Sequence, residues 1–228
     1  MKSFTSVFGT SWLQGRKLLP LLISYTTNFT GDVVDLGCGR SPFRPLFATA
    51  RHFIRVDRYA VDPEVIVIDD PRALPLESSS VDMVLAARML GDLPDLPAVM
   101  RELARILKPE GKILVYEAIS YPQHDLPHDY WRVLPAGLEW AATGAGLSVT
   151  RVEYMGGYFT NLALHWNLFF AGNLTRFAVL RPLAGLAVTC GNLIFATLDR
   201  ILPRPALATD YFACVVKSGA PDPEAVSE

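Results

Sequence analysis

The stretch Val33-Val34-Asp35-Leu36-Gly37-Cys38-Gly39-Arg40-Ser41-Pro42-Phe43, with Asp57 closing a second apolar run, decides the fold. Val33, Val34 and Leu36 read as a strand buried on both faces, the mark of a parallel sheet covered by helices. Gly37 and Gly39 then allow a tight turn and a close backbone approach to a ligand, where a Cβ would collide. Pro42 suits the first position of a following helix, whose free N–H groups can meet an anion. Phe53, Ile54 and Val56 form the next strand, and Asp57 stands at its carboxyl end. An acid about 20 residues beyond a glycine turn, at that point of a doubly wound sheet, is placed to bind two ribose hydroxyls. The stretch predicts a nucleoside-cofactor site. A dinucleotide fingerprint would need a third glycine where Pro42 stands, which disfavours NAD and FAD.

Further along, Asp69-Asp70-Pro71-Arg72-Ala73-Leu74-Pro75-Leu76 is followed by Ser80-Val81-Asp82-Met83-Val84-Leu85. Leu103-Ala104-Arg105-Ile106-Leu107-Lys108-Pro109-Glu110-Gly111-Lys112-Ile113-Leu114-Val115 then leads from a helix into a strand. With Asp35-Leu36-Gly37-Cys38-Gly39, these segments resemble, in order, the motifs of class I S-adenosylmethionine-dependent methyltransferases over residues 31–118. The resemblance implies S-adenosyl-L-methionine as cofactor. It implies Asp35 near the methionine amino group and Gly37, Cys38 and Gly39 beneath the cofactor. Asp57 would take the ribose and Asp70 the adenine amino group, and Arg88 joins the cofactor-binding set. Three departures stand out. Ser41 replaces a common glycine. Pro71 has no N–H to donate to adenine, so either Asp69 serves with the N–H of Asp70 or that bond is missing. Arg88-Met89-Leu90-Gly91-Asp92 stands where relatives often read x-x-L-E-H, which leaves Asp92 in place of a histidine or acid near the methyl group.

Strands are expected near 33–36, 53–56, 65–68, 81–86 and 112–118, alternating with helical segments as a parallel sheet with helices on both faces requires. The helix Ala98 to Leu107 puts Val99, Leu103, Ile106 and Leu107 on one face and Arg101, Glu102 and Arg105 on the other. A helix at Pro135–Thr143, a strand at Ser148–Tyr154 and a last strand at Asp210–Lys217 follow. The expected fold is α/β: a doubly wound, Rossmann-like seven-stranded sheet with an apolar helical insertion before its last strand, which the resemblance makes antiparallel. The expected organisation is an N-terminal helical segment (1–30), a methyltransferase domain (31–218) containing the insertion (156–208), and a disordered, Pro-rich acidic tail (219–228).

The chain has 228 residues, of which 50% are hydrophobic and 19% charged, apolar for a soluble domain. A net charge of −2 without a long basic run argues against a nucleic-acid substrate. Three cysteines, Cys38, Cys190 and Cys214, make neither a disulfide framework nor a zinc pattern and fit a reducing cytoplasm. The N-terminus does not read as a secretion signal: Leu18–Ile23 is short, contains Pro20 and lacks a cleavage site. Ser11–Tyr25 reads as a helix with Arg16 and Lys17 facing solvent.

Between the last two strands the chain becomes almost uncharged. Leu183, Leu186, Ala187, Cys190, Leu193, Ile194, Leu198 and Ile201 recur at helical spacing, opposite a weakly polar side of Gly185, Thr189, Asn192, Asp199 and Arg200. Phe159, Leu162, Trp166, Phe169 and Phe170 form a second stripe. Asn161, His165, Asn167, Asn173 and Asn192 interrupt a spanning pattern, so the insertion is expected on a membrane surface or, second, at a homodimer interface. Arg176, Arg181, Arg200 and Arg204 against Asp199 favour anionic headgroups.

The loop Tyr121-Pro122-Gln123-His124-Asp125-Leu126-Pro127-His128-Asp129-Tyr130-Trp131-Arg132 follows the fifth strand and should border the ligand crevice. Its H-D-Y-W-R string resembles one branch, the methyltransferase type 11-like enzymes. His128 is the candidate general base, oriented by Asp129 or Asp125. Tyr130 and Trp131 would wall the substrate pocket, and Arg132 would hold an anionic group. A bland alternative has His128-Asp129 capping the next helix and Tyr130 and Trp131 filling space. Glu117 either points into the crevice or pairs with an arginine. No metal is expected, because Pro127 breaks the helix that would align His124 with His128.

The resulting expectation is a cytoplasmic methyltransferase, peripheral at the inner face of the membrane, acting on oxygen or nitrogen of a small-molecule or lipid-linked acceptor. The alternative is a catalytically silent methyltransferase-like subunit that binds a partner through its apolar helices.

Overall fold

A computed structural model describes residues 2–203 and 207–218. The expected tail at 219–228, and Arg204, lie outside the described residues. The chain forms two compact units, one of residues 26–153 with the segment from 211 onward, the other of residues 1–25 and 154–210.

The first unit carries the sheet. Its strands are β1 (Asp32–Leu36), β2 (His52–Asp57), β3 (Val65–Val67), β4 (Val81–Ala87), β5 (Leu107–Ala118), β6 (Leu147–Met155) and β7 (Asp210–Lys217), in the order β3-β2-β1-β4-β5-β7-β6. β1 to β5 pair in parallel, and the last strand runs antiparallel. Strand order reverses between β1 and β4, so a crevice opens beyond their carboxyl ends. The register aligns those ends: Leu36 lies beside Val56 on one side and Ala86 on the other. Val34, Leu36, Val84, Val115 and Ala213 are completely or almost completely buried, as doubly covered strands demand.

Two helices of this unit bear on the site, α3 (Leu96–Ile106) and α4 (Pro135–Thr143), the second at its expected bounds. In α3, Asp95 accepts the Ala98 N–H as N-cap, and Leu96, Val99, Met100, Leu103 and Ile106 are buried. Glu102, assigned to the solvent face by periodicity, is buried instead. It accepts the Leu74 N–H at 2.7 Å and the Arg105 guanidinium, which also donates to the carbonyls of Leu74 and Leu76. A charged pair on the helix thus pins the chain after β3, because the backbone groups there have no strand partner to satisfy them.

The second unit is helical: a short α1 (Lys2–Thr5), then α2 (Trp12–Thr26), α5 (Tyr158–Leu174) and α6 (Arg181–Ile201). α5 and α6 pack through a polar seam. Asn167 Nδ2 donates to Asn192 Oδ1 and to the Thr10 carbonyl, while Asn192 Nδ2 donates to the carbonyls of Val7 and Gly9. The side of α6 that carries Ala184, Val188, Gly191 and Asn192 therefore faces inward, and Leu183, Leu186, Leu193, Ile194 and Ile201 face outward, as do Gly185 and Arg200. Asp199 accepts the N–H groups of Phe159 and Thr160 and closes the start of α5. Gly191 lets Trp166 lie against α6, since a Cβ there would stand 2.7 Å from the indole.

Candidate active site

The glycine turn follows β1 directly. Gly37 and Gly39 have φ of +65° and +47°, a region that favours glycine, and a Cβ on Gly37 would stand 2.6 Å from Met89. The N–H groups of Gly37 and Cys38 both reach the Val56 carbonyl, which ties the turn to β2. Gly39 donates to Asp57 Oδ2 at 2.7 Å and Tyr59 donates to Oδ1 at 3.0 Å, so the expected ribose acid is fixed by backbone on both oxygens. Arg55, buried, donates to the Ser41 hydroxyl and to both oxygens of Asp62. Ser41, at φ +45°, therefore has a role a glycine could not fill: it receives the arginine that braces the turn.

Asp35, next to the turn, is almost fully buried, and its Oδ2 has no hydrogen-bond partner among the described residues. Burial pushes its carboxyl up to about 7, against the opposing pull of the Ser41 hydroxyl and Arg55. An unsatisfied buried acid beside an open glycine turn fits a cationic ligand group, which would restore its ionised form. At Gly39 a Cβ would meet nothing within 4 Å, which leaves the turn open on that side. Cys38 is buried, and desolvation with the nearby Asp35 raises its thiol, so it is a packing residue.

Three clefts run along the crevice. The first, about 300 Å³, is lined by Gly37, Gly39, Asp57, Met89, Leu93 and His124, with Arg58 and Arg88 at its edges. The second, about 620 Å³, shares Arg58 with it and is lined by Asp69, Asp70, Arg72, His128 and Tyr130. The third, about 180 Å³, shares Arg88, Asp92 and His124 with the first and adds Gly91, Glu117, Tyr121 and Arg132. Asp69 and Asp70 thus lie together, and Asp70 is held by the Arg72 guanidinium and N–H, which keep its carboxyl below the usual range.

The residues of the fifth-strand loop divide between these clefts. His128 lies with Asp69 and Asp70, away from Glu117. Asp129 is not directed to His128. Arg132 holds its carboxylate well below the usual range, its Oδ2 accepts the His124 N–H, and the same oxygen stands 3.4 Å from His124 Nδ1. His124 Nε2 is 3.9 Å from Asp92 Oδ1 on its other side. Arg132 spends its donors on Asp129 and on the carbonyls of Tyr121, Pro122 and Trp131, so it braces the loop. Tyr130 and Trp131 are about half exposed at the rim. Their N–H groups both donate to the Gly91 carbonyl, and a Cβ on Gly91 would stand 2.7 Å from the Trp131 carbonyl oxygen. The glycine that departs from the family pattern is what lets this loop dock.

Glu117 points into the third cleft while its carboxylate accepts the N–H groups of Leu90 and Ala118; burial raises it to about 6. Arg88 has a φ of +55° and donates its N–H to the Tyr116 carbonyl at 2.6 Å. Its guanidinium lies over the rings of Tyr116 and Tyr121. Arg58 escaped the sequence reading of the site, and His124 entered it only as a metal ligand to be set aside. Arg58 directly follows Asp57, the one local signal that could have marked it.

The comparisons with known proteins agree with this architecture. A family described as "Methyltransferase domain" matches residues 34–115. The sterol 4-C-methyltransferase strm-1 of Caenorhabditis elegans is 40% identical over 60 residues, 26% of this chain and 18% of that protein. The ubiquinone/menaquinone biosynthesis C-methyltransferase UbiE of Shewanella sp. (strain ANA-3) is 39% identical over 70 residues, 31% of this chain and 28% of that protein. The matches thus span less than a third of either relative. Among solved structures, the [4+2]-cyclase SpnF superposes with a TM-score of 0.60 at 16% identity, covering 89% of this chain and 81% of SpnF. Phosphoethanolamine N-methyltransferase 2 of Haemonchus contortus, in complex with S-adenosyl-L-methionine, superposes at 0.59 with 18% identity, covering 94% of this chain and 56% of that one. At such identities the superpositions speak for the fold alone. The matched segment 34–115 lies within a sheet of order 3-2-1-4-5-7-6, which is the Rossmann-like methyltransferase fold.

Proposed function

We propose that the chain binds S-adenosyl-L-methionine along the first two clefts and methylates a small, apolar or lipid-linked acceptor seated in the third. The observation that carries this reading is the glycine turn tied to Asp57, with the unsatisfied Asp35 beside it. Asp35 would hold the methionine ammonium, Asp57 the ribose hydroxyls, and Asp69 or Asp70 the adenine amino group. The bound sulfonium supplies the methyl group. Methyl transfer then asks the protein mainly to align the acceptor and exclude water.

His124 sits where the first and third clefts meet, between Asp92 and Asp129. This geometry favours His124 over His128 as the group that takes a proton from a hydroxyl or amine acceptor, its ring held between the two carboxylates. The ligand atoms of these three residues lie within 4.8 Å of one another, close enough for a metal. The arginine fork on Asp129 fills that position with positive charge already. The relatives named as sterol and quinone C-methyltransferases support an apolar acceptor, and carbon joins oxygen and nitrogen as a candidate acceptor atom.

A second reading is a methyltransferase-like subunit that binds a partner without turnover; SpnF, a [4+2]-cyclase, has this fold without being named a methyltransferase. Calorimetry separates the cofactor from its rivals: S-adenosylmethionine and S-adenosylhomocysteine should bind and NAD should not. Asp57→Ala should weaken binding by about 1–3 kcal/mol. Methyl transfer from labelled cofactor to a panel of quinols, sterols and phenols should fall about 100-fold in His124→Gln and much less in His128→Gln, cofactor affinity being retained. Tight cofactor binding without turnover on any acceptor would favour the subunit reading.

A further inference from the structure

We propose that the helical unit docks on an anionic lipid bilayer, with a headgroup phosphate in a cavity between α2, α5 and α6. The inference does not depend on methyl transfer. The cavity, about 340 Å³, is lined by Arg16 and Lys17 of α2 and by Asp199 and Arg200 of α6, with Gly157 and Thr160 from the start of α5. Its single acid is already engaged, since Asp199 accepts the N–H groups of Phe159 and Thr160 and the Thr160 hydroxyl. Arg16, Lys17 and Arg200 have no acidic partner among the described residues; Arg16 stacks only on Trp12. Three cations around a cavity whose acid is spent call for an anion.

The surface beside the cavity is apolar and faces out. Leu183, Leu186, Leu193, Ile194 and Ile201 make one exposed stripe of α6, and at 100° per residue Arg200 falls on its border. Leu162, Trp166 and Phe169 make the matching stripe of α5. At the tip between the helices Phe177 and Val179 are exposed, Val179 by 85%, and Arg176 lies over the Phe177 ring. Arg181 stands at the same tip. From Tyr154 to Leu198 the chain contains no acid. An apolar surface of this extent, basic at both ends, matches the layering of acyl chains beneath anionic headgroups.

Two alternatives fit less well. The segment Ala178–Ile201, at a mean hydropathy of 1.5, is long and apolar enough to span a membrane. Its inner side, however, carries Asn192, bonded to Asn167 and to the carbonyls of Val7 and Gly9, and these groups would be stranded in hydrocarbon. The helix lies on the bilayer. A second copy of the chain would bring basic rims against basic rims and offer no free acid to either.

Flotation of the full chain with vesicles tests the proposal. Binding to phosphatidylcholine vesicles containing 30% phosphatidylglycerol should exceed binding to pure phosphatidylcholine at least tenfold and weaken in 0.5 M salt. The combined Arg16→Glu, Lys17→Glu and Arg200→Glu variant should lose on the order of 100-fold, about fivefold per cation. Leu186→Ser with Phe169→Ser should abolish binding to either vesicle, while the thermal shift with S-adenosylhomocysteine stays that of the parent and certifies the fold. Equal binding to neutral vesicles, or a lipid-indifferent dimer that the serine variants split, would overturn the proposal. So would release by inorganic phosphate at matched ionic strength, which would make the cavity a site for a free anion.

Discussion

Asp35 illustrates how one buried carboxyl can oppose stability. Its carboxyl is raised to about 7 by burial, so the ionised form is penalised in the folded chain relative to the unfolded one. A raised pKa contributes stability below the unfolded value, near 4, and that contribution is lost as pH rises through about 7. The ligand-free protein should therefore lose stability between pH 4 and pH 7 on this account. Asp35→Asn should flatten that trend and raise stability at pH 8 by about 2 kcal/mol in urea unfolding. The same substitution should weaken S-adenosylmethionine at least tenfold. A variant less stable than the parent at pH 8 would refute the argument. Glu117, raised to about 6 by burial, acts in the same direction. The sequence identified Asp35 by its place in the motif, but its cost depends on burial, which no local pattern reports.

At the scale of elements, the crevice is held open by connections that side chains organise. The Glu102–Arg105 pair fastens the chain after β3, Arg132 fastens the chain after β5, and Gly91 joins that loop to the chain after β4. Gly91→Ala would push a methyl against the Trp131 carbonyl oxygen, so the loop must lift. Amide exchange at Tyr130 and Trp131 should accelerate at least tenfold, while the melting temperature falls only a few degrees because the sheet core is untouched. Unchanged exchange at both amides would show that the loop is held elsewhere. The H-D-Y-W-R string was legible as a crevice loop. Which of its residues face the crevice was not, because Asp129 and Arg132 bond to each other and to His124 and Tyr121 rather than to sequence neighbours alone.

Across the whole molecule, the cleft-lining residues come from four separate connections, after β1, β2, β3 and β4, together with the fifth-strand loop. A ligand filling those clefts should protect all of them together. With S-adenosylhomocysteine at a hundredfold excess over its Kd, stabilisation should reach about 2.7 kcal/mol, and exchange should slow over residues 37–39, 57–59, 69–72 and 88–93. Protection confined to one segment would point to a different site. The sheet and its glycine turn could be read directly, because strand burial, glycine freedom and the spacing from Gly37 to Asp57 are local or periodic properties. Only tertiary packing set His124 between Asp92 and Asp129, buried Glu102, and turned Asn192 of α6 inward. Each of these follows from partners far apart in sequence: Glu102 meets Leu74 across 28 positions, and Asn167 meets Thr10 across 157. A periodic pattern separates two faces of a helix, but which face is covered depends on what the rest of the chain brings to it.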